Sequence, residues 1–145
     1  MGPPSARLEV NMLGEKIGEG TGKVISQRVL PSAGGPPLVE TTFRGSGKLM
    51  GLASSETGTY SAALRADGTL IGEGQGVVMG PPGELASWKG GGIGQPQKDG
   101  SIKYRGAIYF ESASPTWKRL TSVAAIFEFE VSAEGETKGQ LFEWK

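Results

Sequence analysis

Two glutamates and four aromatic residues carry most of the chemistry this sequence offers. Glu19 and Glu73 occupy equivalent places in two glycine-rich segments, Ile17-Gly-Glu-Gly-Thr-Gly-Lys-Val24 and Ile71-Gly-Glu-Gly-Gln-Gly-Val-Val78. A pair of carboxylates aimed into one cavity could transfer protons or hold a cation, and burial there would raise their pKa values. Phe43 and Trp88 form a second equivalent pair, in Phe43-Arg-Gly-Ser-Gly47 and Trp88-Lys-Gly-Gly-Gly92. With Tyr60 and Tyr104 they would offer a ligand flat apolar walls and two hydroxyl handles. The competing role for these aromatics is plain filling of a small core. The candidate ligand-binding residues are therefore Phe43, Tyr60, Trp88, Tyr104, Glu19 and Glu73.

The composition excludes much else. There is no Cys and no His. That removes thiolate and imidazole zinc sites, disulfides, iron–sulfur clusters, cysteine nucleophiles and every triad that needs His. No metal site and no cofactor are expected. Fifteen basic residues balance fifteen acidic ones, without the basic surplus that binding to nucleic-acid phosphates calls for. The longest apolar run, near Val123–Phe127, is too short for a membrane-spanning helix. The first residues lack the basic start and apolar stretch of a secretory signal, so the expected location is cytoplasmic.

These residues must be positioned by strands. The 145-residue length suits one domain spanning 1–145. With 25 Gly and 9 Pro the backbone is bent often, and each Gly inside a helix costs about 1 kcal/mol relative to Ala. Only residues 116–120, after Pro115, read as a helical turn. Period-two alternation dominates instead: Ile102, Tyr104, Gly106, Ile108 and Phe110 on one face, Lys103, Arg105 and Glu111 on the other. Eight or nine strands are expected, at 6–13, 16–29, 38–51, 57–66, 69–79, 84–94, 101–112, 121–132 and 137–144. Asp67-Gly68 and Asp99-Gly100 suit tight hairpins in which both central residues take positive φ, and Glu134-Gly135 suits another. The matched segments suggest two repeated β-meander halves, about 6–66 and 67–145. The expected fold is all-β: a single antiparallel, Gly-rich barrel of eight to nine strands.

In both copies Gly falls on alternate positions, so the row shares one strand face. Sharp coiling and close approach of facing walls in a small barrel would explain it. Phosphate binding does not fit, because Gly18-Glu-Gly-Thr-Gly-Lys23 lacks Walker spacing and does not open a helix. Parity also sets Glu19 and Glu73 opposite the glycines, so if the glycines face inward the glutamates face water.

The stretches Ala66-Asp-Gly-Thr-Leu-Ile-Gly-Glu-Gly-Gln-Gly-Val77, Trp88-Lys-Gly-Gly-Gly-Ile-Gly94, Gly100-Ser-Ile-Lys-Tyr-Arg-Gly-Ala-Ile-Tyr-Phe110 and Phe127-Glu-Phe-Glu-Val131 resemble small bacterial barrel proteins of the allene oxide cyclase-like β-barrel group. The resemblance covers most of residues 15–132. It implies an eight-stranded antiparallel barrel with an apolar cavity, often assembled into oligomers. No catalytic residue of the cyclases has a counterpart at a position here, so their activity does not carry over.

The leading expectation is a barrel that binds a small apolar molecule. The alternatives are a cofactor-independent cyclase or isomerase acting in the lumen, and an assembly protein with a filled barrel. A cavity above about 300 Å³ would favour binding or catalysis. A lumen filled by Phe43, Trp88, Phe127 and Phe129 would favour assembly. Outward apolar residues Ile126, Tyr109 and Phe142 point to a homodimer, and Trp117 and Trp144 are expected at the rim or an interface.

Overall fold

The computed structural model describes residues 13–145. Eight strands follow in order: β1 (Lys16–Leu30), β2 (Leu38–Leu49), β3 (Leu52–Leu64), β4 (Leu70–Met79), β5 (Leu85–Pro96), β6 (Ile102–Glu111), β7 (Ala124–Val131) and β8 (Glu136–Glu143). Each pairs antiparallel with its neighbour, and β8 closes on β1 to complete the barrel. Closure leaves few unpaired strand edges, which is how an all-β chain of this size avoids edge-to-edge association. The strand expected at 6–13 lies essentially outside the described residues. The boundary at 66/67 falls in the β3–β4 turn, with three described strands before it and five after.

The alternation read from the sequence becomes an inner and an outer face. On β6, Tyr104, Ile108 and Phe110 are buried while Lys103, Arg105 and Tyr109 are exposed. Outer rows match opposite charges across strands, as in Lys103↔Glu130↔Lys138 and Arg105↔Glu128.

One end of the barrel is plugged. The turn expected at 116–120 is a 3-10 helix, Trp117–Ser122, between β6 and β7. Trp117 is not a rim residue: it is wholly buried, as is Leu120. Its indole Nε1 donates to the Leu49 carbonyl at 3.0 Å. It belongs to one buried cluster with Leu49, Val78, Phe110, Val123 and Ala125. The sequence could not place it because inward direction in a short connecting turn has no period to reveal it. Trp144 is exposed, Tyr109 is outward and exposed, and Ile126 pairs with Phe142 on the outer face, both half-buried.

The opposite end carries the hairpin turns at Asp67-Gly68, Asp99-Gly100 and Glu134-Gly135. Here the expected turn type needs correction. Only the glycines take positive φ (88°, 89° and 85°). Each turn instead bonds Gly N–H back three residues, as Gly68 to the Arg65 carbonyl and Gly100 to the Gln97 carbonyl, a type I turn followed by a left-handed glycine. The aspartates explain the preference: Asp99 Oδ1 accepts from Ser101 N at 3.0 Å and Ser101 Oγ at 2.7 Å. The same arrangement joins Asp67 to Thr69. The two-residue turn with both φ positive occurs elsewhere, at Met50 and Gly51 between β2 and β3.

The Ser101 hydroxyl holds the Asp99 carboxyl below its ordinary range. A depressed folded pKa adds stability above the unfolded value of 3.8 and loses it as pH falls through the folded one. Asp99→Asn is therefore expected to flatten the acid limb of the stability curve below about pH 4. Urea midpoints measured between pH 2.5 and 6 check this.

The glycine row has a more local cause than facing walls. A Cβ on Gly47 would overlap the Glu19 carbonyl oxygen of the adjacent β1 and sit 2.6 Å from Gly20 Cα. The β1–β2 wall coils so tightly that paired inner positions hold no side chain. On β4 the crowding comes from a ring: a Cβ on Gly76 would lie 2.5 Å from the Trp88 indole.

Candidate lumen site

Four of the six candidate residues meet inside the barrel. Phe43 on β2, Trp88 on β5 and Tyr104 on β6 are buried, and Tyr60 on β3 is half-buried. Phe43 packs against Phe129 of β7 with ring centroids 5.0 Å apart and planes tilted by 45°. Tyr60 meets Tyr104 edge-on at 5.5 Å and Phe129 at 6.1 Å. Period-two spacing places each ring inward, and four different strands bring them together, a convergence that closure alone produces.

Glu19 and Glu73 do not join them. Glu19 is on the outer face, its side chain 55% exposed and paired with Lys16 Nζ at 2.6 Å. The Lys16 ammonium holds its carboxyl below the usual range. Glu73 is likewise exposed. Both sit between inward glycines, so parity turns them to water and they form no lumen pair. The expectation of a carboxylate pair aimed into one cavity is thereby corrected.

The lumen instead holds Glu56, which sequence reading missed. Glu56 lies on β3 opposite Gly45 of β2 and Val78 of β4. Trp88 Nε1 donates to its Oε2 at 2.9 Å. The signal was available: Glu56 has the same parity as Gly58 and Tyr60. It was lost because β3 was expected to begin at residue 57, whereas it begins at Leu52.

Burial pushes the Glu56 carboxyl up, against the lowering effect of the Trp88 hydrogen bond. Burial also raises the Tyr60 and Tyr104 phenols, and for Tyr104 the neighbouring Tyr60 adds to it. Both stay protonated and able to donate. Among the described residues no three carboxylates cluster as a metal site would need.

A raised folded pKa means that protonation favours the folded state. Stability from Glu56 is then present below its unfolded value of 4.5 and is lost as pH rises through the folded value. Glu56→Gln keeps an acceptor for Trp88 without the charge. The variant is expected to have a higher urea midpoint than the parent at pH 8, the difference vanishing below pH 4. An equal gap at both pH values would count against a buried carboxylate.

The rings do not fill the space. A cavity of about 140 Å³ remains, bounded by Phe43, Tyr60, Trp88, Phe129 and Glu56 and by the glycine wall of Gly20, Gly45 and Gly47. It lies below the ~300 Å³ at which drug-sized ligand sites begin. It is close to the ~150 Å³ of an apolar cavity that accepts one benzene. The lumen is thus neither the large pocket nor the solid core set out as alternatives above.

Solved structures share this architecture. The chain is similar in fold to small bacterial proteins of unknown function. One, from Clostridium acetobutylicum, superposes with a TM-score of 0.77 at 13% identity, covering 90% of this chain and 97% of that one. A second, from Rhodopseudomonas palustris, gives 0.74 at 13% identity over 89% and 95%. A third, a beta-barrel like protein from Acinetobacter baumannii, gives 0.76 at 11% identity over 90% and 94%. No family model and no curated protein matches the chain. At such identities the likeness is one of fold, and function has to be argued from the lumen itself.

Proposed function

We propose that the barrel binds a small, mostly apolar molecule in its lumen. The observation that carries this reading is the open cavity of about 140 Å³ beside the aromatic cluster. Packed interiors contain few voids larger than a water molecule. A space this size, walled by rings on one side and bare glycine backbone on the other, suits an occupant about as large as benzene. The tyrosine hydroxyls and Glu56 supply the few polar groups that orient a ligand in such sites.

Two measurements test it. Native mass spectrometry of the protein as purified should show a retained small mass that leaves on activation. Fluorobenzene titrated into labelled protein should shift the Trp88 indole N–H resonance and leave that of exposed Trp144 in place. An apo mass together with an unmoved Trp88 signal would overturn the reading.

A second reading, cofactor-free isomerisation or cyclisation in the same lumen, draws on Glu56. A carboxyl raised by burial moves toward the range where general acid–base groups work. The likeness to the allene oxide cyclase-like barrels, drawn from the Gly-alternating strands, adds no catalytic residue to this reading, which stands on Glu56 alone. Deuterium uptake from D2O into carbon positions of a retained ligand, abolished in Glu56→Gln, separates it from binding alone.

A further inference from the structure

Glu56 is an odd component for an apolar lumen. Trp88 supplies one donor to Oε2. The other oxygen has no protein partner among the described residues and is not sealed from open space, so it faces the cavity. Among the described residues no Lys or Arg offsets the charge from within. On β4 to β6 the charged residues Glu73, Lys89, Lys103, Arg105 and Glu111 are all exposed on the outer face. Inner-facing titratable groups are Tyr60 on β3 itself and Tyr104 on β6. The inner positions of β1, β2, β4, β5 and β7 present none. Glu143 on β8 lies at the plugged end, paired with Arg119 at 2.8 Å. A largely enclosed carboxylate with one neutral donor and no cation beside it is unfavourable, and a cation brought by a ligand would relieve it.

The surrounding rings favour the same kind of ligand. Phe43 and Trp88 both lie against Gly58, one inner position along β3 from Glu56: a Cβ there would meet Phe43 at 2.7 Å and Trp88 at 2.9 Å. Phe129 and Tyr60 continue the wall. Aromatic faces carry negative potential and hold organic cations, most strongly where water is excluded.

We propose that the lumen ligand carries an ammonium group, seated between the Glu56 carboxylate and the rings of Phe43, Trp88 and Tyr60. This rests on the lumen-binding reading and names the ligand class within it. The glycine wall leaves room for a small alkylammonium head, and the neutral remainder of the ligand meets the apolar side.

Choline and its neutral carbon analogue 3,3-dimethylbutan-1-ol make the comparison, since they match in shape and differ in charge. Calorimetric titration of the folded chain at pH 8 should give choline at least about a tenfold advantage. Choline affinity should fall as pH is lowered through the Glu56 titration, while that of the alcohol stays level. Glu56→Gln should erase the preference, and should that variant fail to fold, the pH series on the parent carries the same test. Equal or tighter binding of the alcohol overturns the ammonium assignment and leaves lumen binding standing. Binding of neither probe, with the Trp88 resonance unmoved by fluorobenzene as well, overturns both.

Discussion

Replacing Trp117 by alanine is expected to lower the unfolding free energy by about 3–5 kcal/mol, the usual cost of removing a large buried aromatic. Its side chain is wholly buried in a core cluster that includes Leu49, Val78, Phe110 and Leu120. The substitution also removes the indole donor to the Leu49 carbonyl, which adds the cost of a lost buried hydrogen bond. For a domain of this size the fall in Tm should be about 10 °C or more. Trp117→Phe separates the two contributions, because it keeps most of the packing and loses only the donor. It should cost about 1–3 kcal/mol. Chemical denaturation of both variants decides the matter, and a loss below about 1 kcal/mol for the alanine variant would mean that the plug does not hold the end of the barrel closed. The consequence reaches the lumen, since this 3-10 helix caps the barrel end toward which Glu56 and Trp88 lie.

Gly47→Ala is the second substitution with a large expected effect, of about 3 kcal/mol or more, up to failure to fold. The new methyl would occupy space held by the Glu19 carbonyl and Gly20 Cα of the neighbouring strand. Those are backbone atoms in a hydrogen-bonded ladder, so no rotamer change relieves the overlap. Gly35→Ala is the control. It lies in the β1–β2 loop, where the nearest atom to a new Cβ is the Ser32 hydroxyl at 3.5 Å and the backbone φ is ordinary. Both substitutions reduce the freedom of the unfolded chain alike. The difference between their urea midpoints therefore isolates the clash. If Gly47→Ala were as stable as Gly35→Ala, the tight coiling of the β1–β2 wall would not be what fixes glycine there.

The buried carboxylate shows how thin the margin between legible and illegible can be. Period-two parity places Phe43, Tyr60, Trp88 and Tyr104 inward from the sequence, and the same parity turns Glu19 and Glu73 outward. Nothing more than a strand start five residues earlier was needed to bring Glu56 into the same row as Tyr60. Strand ends lack a periodic signal of their own. The β2–β3 connection is especially well hidden, because a turn of Met50-Gly51 carries none of the Asp that marks the Asp67-Gly68 and Asp99-Gly100 hairpins.

Residue alternation, glycine rows and Asp-Gly pairs by themselves determined that the chain is an antiparallel barrel and which face of most strands turns inward. Those are local properties, set by the period of a strand and the φ values glycine allows. The tertiary structure alone decided three further things: that Trp117 is a plug, that Glu56 meets the Trp88 indole, and that a space of about 140 Å³ stays open beside them. Each depends on distances between strands far apart in the chain. Barrel closure and shear set those distances, and no run of neighbouring residues encodes them.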